Sequence, residues 1–461
     1  MKIHLLALMW ICLCGEGLTQ SEIPDPNPPL PPTAGPTLEP HFPDAANTDV
    51  PNRASSDEET EEGCESLGHS PQSKEALAKA ILRLGMRVLE NLKTTPEQPN
   101  VIVSPLSISL ALSQLALGSV NETEELLMRH LHDNTLACYH QSLHNLLAQL
   151  KDSDLQLATR IFLKPGFQPR SEFIQESLRM YDSEPVPLEG LKEVNEWVKK
   201  ATNGFMSEFL SSLPPNLVLM LINAVHFKGE WRNRFDSRFT SRGAFHIDEN
   251  HIVDVDMMEG AKHPLSLLSD YDLEAQVARF PFRKMMSLLV VMPTSGHVNI
   301  STLAAKLNIS DLYDRLPKER AMQVKLPKFK LQYTQELQET LTSMGLGELF
   351  VGPNLAGISE GPLLVSSVHH RTSMEINEEG AEAAAASSVG VSRSNPSFNL
   401  NQPFFFALMD DMTQAPIFLG VITNPNPEAP VLQKGGSGNK DKFEYPIDKN
   451  LGGLSFGGPP K

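Results

Sequence analysis

At 461 residues, with 40% hydrophobic and 21% charged side chains, the chain carries enough apolar material for one large folded domain. Its formal net charge of −17 excludes partners held by bulk positive charge, nucleic acid and heparin-like polyanions among them. The chain opens on a basic Lys2 and the apolar run Leu5 to Leu13, with Gly15 and Gly17 near a plausible cut. Residues 1–17 therefore read as a secretory signal peptide, which predicts an extracellular protein. No later run approaches the eighteen apolar residues of a membrane helix, so no membrane partner is expected. Cys12 and Cys14 leave with the signal, and the remaining two cysteines predict a single Cys64–Cys138 disulfide.

Residues 18–70 form an acidic arm. Ten prolines and one basic residue, Arg53, fall between Gln20 and Glu65, which predicts a disordered or extended segment. Helical spacing begins near Ser73 with Leu77, Ile81, Leu84 and Val88. Ser104 and Pro105 supply an N-cap and first helical position for a helix that runs to Leu117 and stops at Gly118. Strand-like runs occupy Leu155 to Leu163, Leu217 to Phe227, Met286 to Met292, Gln323 to Leu331, Phe404 to Met409 and Ile417 to Ile422. With helices concentrated in the first half, the pattern is α+β and not a repeating βαβ chain. The folded domain is placed at residues 71–427. Residues 428–461 lose hydrophobic periodicity and carry glycine runs, as a flexible tail does.

The segment from Glu378 to Pro396 reads as protease bait able to become a strand. Strand alternation puts Ala381, Ala383, Ala385, Ser387, Val389 and Val391 on one face, and Glu382, Ala384, Ala386 and Ser388 on the other. Helix and linker are the commoner fates of Ala-rich and Gly/Ser-rich runs. The flanks argue otherwise: Thr372 to Ile376 is β-prone, and Gln402 to Met409 is a buried-type strand. A loop of about twenty residues between two strands is usually functional.

Two patterns suggest catalysis or metal binding, and both lack a needed part. Gly357-Ile358-Ser359-Glu360-Gly361 matches a nucleophile elbow, with His369 and His370 downstream, but no strand precedes it and Gly361-Pro362 prevents the helix that should follow. His140 and His144 stand four apart near His130, His132 and Cys138, without the glutamate of a metalloprotease helix. No cofactor, no metal and no enzymatic activity are expected. Sequons at Asn121, Asn299 and Asn308 predict surface glycosylation, with Asn121 alternatively a helix N-cap.

Several blocks in order resemble the serpin family over roughly Ser73 to Pro425. They are Ser104 to Ser109, Asn195 to Val198 with Thr202 and Gly204, Asn223 to Trp231, Leu326 to Lys330, the hinge from Glu378 and Gly380, and Asn401 to Pro425. The resemblance implies helices packed on three β-sheets with an exposed reactive-centre loop. It places Ser104, Ser107, Asn223 and His370 in a polar cluster where the main sheet parts, and Trp231 near the top of that opening. It implies a reactive bond at Arg393-Ser394, since an acidic specificity pocket takes arginine. Counting sixteen positions on from Glu378 reaches Ser394 instead, so the register stays open between the two.

The expected partner is a trypsin-like serine protease, with a monomeric inhibitor. The Cys64–Cys138 pair, the Asn121 sequon, the Arg393 loop and the long tail resemble the family's plasmin-directed branch. That resemblance implies plasmin or plasminogen as target, with tail lysines Lys434, Lys440, Lys442, Lys449 and Lys461 engaging its lysine-binding modules. It also implies attachment to fibrin through Gln20 in the arm, by a transglutaminase. Other Arg-specific proteases (trypsin, kallikrein) and a non-inhibitory, hormone-carrying or signalling member remain the alternatives.

Overall fold

The computed structural model describes residues 61–434, apart from Lys93, Thr135, 296–299 and 381–395. Helix α1 (Glu61–Leu67) leads into α2 (Pro71–Glu90), where the Ser70 hydroxyl accepts from the Ser73 N–H at 3.1 Å and Pro71 sits in the first turn. Leu77, Ile81, Leu84 and Val88 line its buried stripe. Helix α3 (Pro105–Leu117) begins in the same way at Ser104-Pro105 and ends at Gly118. It is apolar around nearly its whole circumference, so it can only be a central helix, and its residues up to Ala116 are buried. Around it lie α4 (Glu122–His132), α5 (Tyr139–Leu150) and α6 (Ser171–Tyr181), while α7 (Leu191–Ala201) packs in a second apolar cluster with Phe162 and Met220, and the short α8 (Ile300–Ala304), α9 (Ile309–Arg315) and α10 (Gln338–Leu341) follow later.

Cys64 in α1 is bonded to Cys138, the residue before α5, across 74 residues of sequence. Closing a loop of that length removes about 4 kcal/mol of unfolded-state freedom in the chain-entropy account. A Cys64→Ser/Cys138→Ser variant is expected to lose about 2–4 kcal/mol in urea unfolding. An unchanged midpoint would mean that the bridge restrains nothing the unfolded chain would otherwise explore.

The larger sheet contains β1 (Val101–Val103), β5 (Ser241–His246), β6 (His251–Asp270), β7 (Ala275–Pro281), β8 (Met286–Pro293), β9 (Arg320–Pro327), β12 (Ser397–Asn399), β13 (Phe404–Asp410), β14 (Pro416–Ile422) and β15 (Leu432–Gln433). Its long strand β6 shifts register between Gly260 and His263. One half of β6 pairs with β5, β9 and β15, and the other with β7, so two sheets share this strand. The five remaining strands form a separate sheet in the order β10 (Phe329–Glu336), β11 (Val365–Ile376), β4 (Leu219–Lys228), β2 (Leu155–Leu163) and β3 (Val186–Pro187). The residues Leu219–Phe227 of β4 are buried on both faces, consistent with their nearly unbroken apolar run.

The run Gln323 to Leu331 predicts one strand, but it forms the end of β9 and the start of β10, which lie in different sheets. The break falls after Pro327, which has no N–H for a ladder, and at Lys328, whose N–H turns to the Asp256 carbonyl at 2.8 Å.

Candidate functional site

Two strands of the five-stranded sheet run parallel along its middle: β11 pairs with β4 from Val365↔Leu219 to Glu375↔Lys228. Their other neighbours, β10 on β11 and β2 on β4, are antiparallel. Pairing register sets Gln335, His370, Asn223 and Thr159 in one row across the sheet. His370 Nε2 accepts the Ser104 N–H at 3.2 Å, where α3 begins beneath the sheet. Ser104 Oγ accepts the Ser107 N–H at 3.3 Å, and Ser107 Oγ donates back to the Ser104 carbonyl at 3.0 Å. All four of Ser104, Ser107, Asn223 and His370 are at most 1% exposed.

This row is incompletely satisfied. Neither polar atom of the Asn223 side chain, nor Thr159 Oγ1, nor His370 Nδ1 has a partner among the described residues. The same is true of both His226 ring nitrogens, Ser367 Oγ and Ser373 Oγ on the same two central strands. A buried polar atom left unpaired costs about 1–3 kcal/mol, so the β4–β11 seam is where this sheet is furthest from its best state.

At the upper end of the seam the chain leaving β11 is clamped. Trp231 is fully buried, its indole N–H donates to the Asn377 carbonyl at 2.7 Å, and its backbone N–H donates to the Glu379 carbonyl at 2.9 Å. Phe235 N–H donates to the Glu378 carbonyl at 3.1 Å. The Glu378 carboxylate accepts from Thr240 Oγ1 at 2.8 Å and pairs with Lys328 at 2.9 Å, while Glu379 pairs with Lys228 at 2.9 Å. Burial alone would raise the Glu378 carboxyl, but Lys328 and Thr240 outweigh it and hold the group below its ordinary range. Hydrogen bonding to Glu379 likewise raises Lys228. Gly380 forms a bridge with Trp231, where a Cβ would lie 2.4 Å from the Trp231 carbonyl oxygen, so glycine is required by close approach.

The chain matches the serpin (serine protease inhibitor) family over residues 79–425. It is 41% identical to alpha-2-antiplasmin of Mus musculus over 86% of this chain and 82% of that protein. Against alpha-2-antiplasmin of Bos taurus the identity is 40%, over 82% and 79% respectively. The solved structure of mouse protein-Z dependent protease inhibitor shares the fold, with TM-score 0.68, 24% identity, and coverage of 77% of this chain and 98% of that one. This chain belongs to the serpins. As such it is of the protease-inhibitor class and not a catalyst, and its α+β architecture is the serpin fold.

Of the serpin's expected site residues, the structure brings together Ser104, Ser107, Asn223 and His370 at the seam, and Trp231, Glu378 and Gly380 above it. Ala381, Ala383, Ala384, Ala385, Ala386, Arg393 and Ser394 lie outside the described residues, as do Gln20, Asn299, Lys440, Lys442, Lys449 and Lys461. Asn121 is exposed before α4 and makes no side-chain cap, whereas Asn308 caps α9 by accepting the Asp311 N–H at 3.3 Å. Lys434 follows β15, donates its N–H to the Asn250 carbonyl at 2.7 Å and sets Nζ 3.2 Å from the Asp248 carbonyl. Sequence reasoning assigned no role to Lys228, Thr240, Lys328 or Thr159. Lys228 and Lys328 stand inside serpin-like blocks, and their distance in sequence from Glu379 and Glu378 hides the pairing that folding creates.

The serine of the elbow-like motif is no nucleophile. Ser359 is 2% exposed and donates to the Gln168 carbonyl at 2.6 Å, on an isolated bridge to Pro169. The histidines near α5 are dispersed: His144 Nδ1 donates to the Met180 carbonyl at 2.9 Å, His140 bonds Tyr181, and His130 bonds the Leu126 and Met344 carbonyls.

Burial depresses the seam histidines, His226 to about 4 and His370 to about 3, and His263 beneath Trp231 to about 4. The unfolded chain takes up these protons near 6.5, so it binds more protons than the native state below that pH. Stability is therefore fully present above pH 6.5 and falls as the pH drops toward 4. The urea midpoint is expected to be clearly lower at pH 5 than at pH 7.5. Equal midpoints would mean that these imidazoles are not held neutral.

Proposed function

We propose that this serpin is a secreted suicide inhibitor of a trypsin-like serine protease, plasmin above all, working in the regulation of fibrinolysis. The observation that carries the trap is the β4–β11 pair, which is parallel, underbonded and continuous with the bait segment. A chain that turns back after β11 runs antiparallel to β11, and therefore also antiparallel to β4. Entering between them, it exchanges one parallel ladder for two antiparallel ones and can supply partners to the seam's orphaned polar atoms. Loop insertion in serpins is itself a known instance of strand addition.

The protease serine attacks the Arg393 carbonyl, the Arg393-Ser394 amide breaks, Ser394 leaves as a new amine, and an ester joins Arg393 to the enzyme. Freed at that bond, residues 380–393 have a reach of about 46 Å when extended, enough to drag the tethered protease along the sheet. The proximal positions Ala381, Ala383, Ala384, Ala385 and Ala386 are small enough to enter. Trapping results when insertion outruns hydrolysis of the ester.

Plasmin is favoured by two relatives called alpha-2-antiplasmin at 40–41% identity, and by the lysines of the tail. Leu432 and Gln433 pair with Ile252 and His251 of β6, so Lys434 would be the fixed end from which Lys440, Lys442, Lys449 and Lys461 reach a lysine-binding module. Glycans at Asn121, Asn299 and Asn308, and fibrin attachment through Gln20, complete the reading. The test is to mix the protein with plasmin, run a denaturing gel and map the cut by mass spectrometry. An SDS-resistant complex cleaved after Arg393 supports the proposal. Cleavage without complex makes the protein a substrate, and trypsin or kallikrein complexes without a plasmin complex reassign the target.

A further inference from the structure

Strand β6 is interrupted where it faces β9. Its ladder runs from Met257↔Pro327 to Gly260↔Val324 and resumes at His263↔Met322, so β6 advances three residues while β9 advances two. This is a β-bulge, and both of its extra residues, Ala261 and Lys262, are exposed. The bulge is held from behind, because the His263 ring stacks on Phe235 at 4.4 Å and meets Trp231 edge-on at 5.9 Å. Gln323, the β9 residue opposite it, pairs with Ser397 of β12 and donates its N–H to the Pro396 carbonyl at 3.3 Å. Lys262 therefore lies two strand spacings, roughly 10 Å, from Ser397. Arg320 opens the same β9 strand opposite Leu265, and Lys318 precedes it by two residues.

The charges on this face are unbalanced. The acids nearest the bulge are matched: Glu259 by Lys325 at 2.5 Å, Asp256 by Arg242 at 3.2 Å, and Glu319 by Arg232. Lys262, Lys318 and Arg320 are exposed, and their side chains have no ion pair or hydrogen bond among the described residues. Three uncompensated cations thus gather on a chain whose net charge is −17. Solvated surface cations are ordinary, and these three contribute nothing to the fold through pairing. Their place is what distinguishes them. Ser394 precedes Ser397 by three residues, which span at most about 11 Å of chain. A protease catalytic domain of about 250 residues has a radius of gyration of about 18 Å. With its cleft on a bond tethered so closely to β12, it cannot keep clear of side chains about 10 Å beyond Ser397.

We infer that Lys262 and Arg320, with Lys318 beside them, are specificity-determining residues that meet carboxylates on the target protease, on the rim of its cleft that receives the residues after the cut. This rests on the proposed function in taking Arg393-Ser394 as the bond attacked. Opposite charges across a forming interface speed the encounter, and like charges suppress the wrong partner. Arg393 decides which bond is cut, an attribute that every Arg-specific protease can use. The cationic face decides which of those proteases arrives fastest, favouring one with an acidic rim and turning away one with a basic rim.

The test is the second-order rate at which plasmin consumes the intact full-length chain, for the parent and for Lys262→Glu/Arg320→Glu. The variant is expected to react about tenfold more slowly at an ionic strength of about 0.02 M, and within about twofold of the parent at about 0.5 M, where exposed charges are screened. Lys199→Glu/Lys200→Glu makes the same change of net charge on α7, which packs on β2 of the other sheet, and is expected to react as the parent does. Urea midpoints equal to the parent's show that both variants are folded. A parent-like or faster rate for Lys262→Glu/Arg320→Glu at low salt overturns the inference. So does a slowing that salt does not relieve, or an equal slowing in the α7 variant. The rate counts every cut chain, trapped or released. Cleavage without complex therefore sinks the proposed function and leaves this inference standing, whereas intact complex formation at a parent-like rate in the variant sinks this inference alone.

Discussion

An Ala383→Glu variant is expected to be cut by the target protease as fast as the parent while forming at least about tenfold less covalent complex, because 1.4 kcal/mol of added barrier is already a factor of ten. The cut depends on the proposed reactive bond Arg393-Ser394, which this change does not touch. Trapping depends on insertion, and the strand that would receive the loop on one side is buried at every position from Leu219 to Phe227. A carboxylate carried between such strands loses its water and finds no partner, at a cost of several kcal/mol. Insertion slows by more than the tenfold needed for ester hydrolysis to win. Ala383→Ser, small and able to hydrogen-bond its own backbone, is the control and is expected to keep most of the complex. The measurement is densitometry of complex against cleaved inhibitor. Parent-like complex from Ala383→Glu would mean that this position does not enter the sheet.

Much of this architecture is legible in the sequence, for physical reasons that differ between elements. Helix α3 announces both of its ends, since Ser104-Pro105 and Gly118 are local signals that need no tertiary context. Strand β2 is equally plain: the largely apolar run from Leu155 to Leu163 is the run that pairs. The boundary between β9 and β10 is not legible as a change of sheet, because Pro327-Lys328 breaks one ladder without any change of apolar character on either side. The same limit applies to the site. The serpin resemblance indicates His370, Asn223 and Trp231, but not the clamp on Glu378. Lys328 and Thr240 reach Glu378 from 50 and 138 residues away, and no spacing rule connects positions that only the folded sheets bring within 3 Å. Thr159 was missed for a related reason. A lone threonine in a strand reads as ordinary β propensity, and only register aligns it with Asn223 and leaves its hydroxyl unpartnered.

Trp231→Ala is expected to destabilise the serpin by about 3–5 kcal/mol, the range for removing a fully buried large aromatic. The ring stacks on Phe282 at 4.2 Å and meets Phe235, Phe280 and His263 edge-on, so little around it can collapse into the space it leaves. The variant also deprives the Asn377 carbonyl of the indole N–H at the point where the chain leaves β11. Trp231→Phe separates these two effects. It keeps much of the packing and loses only the donor, which predicts a smaller loss of about 1–3 kcal/mol. The backbone bond from Trp231 to Glu379 survives both changes, as do the Glu378–Lys328 and Glu379–Lys228 pairs. Urea unfolding should therefore rank the parent above Trp231→Phe and both above Trp231→Ala. Limited proteolysis near Asn377 should accelerate in both variants, since each frees that carbonyl from its donor. If Trp231→Phe proves as unstable as Trp231→Ala, the indole hydrogen bond and not ring packing secures the upper end of the seam. If neither variant is nicked faster, the acidic clamps on Lys328 and Lys228 hold the hinge without help from the indole.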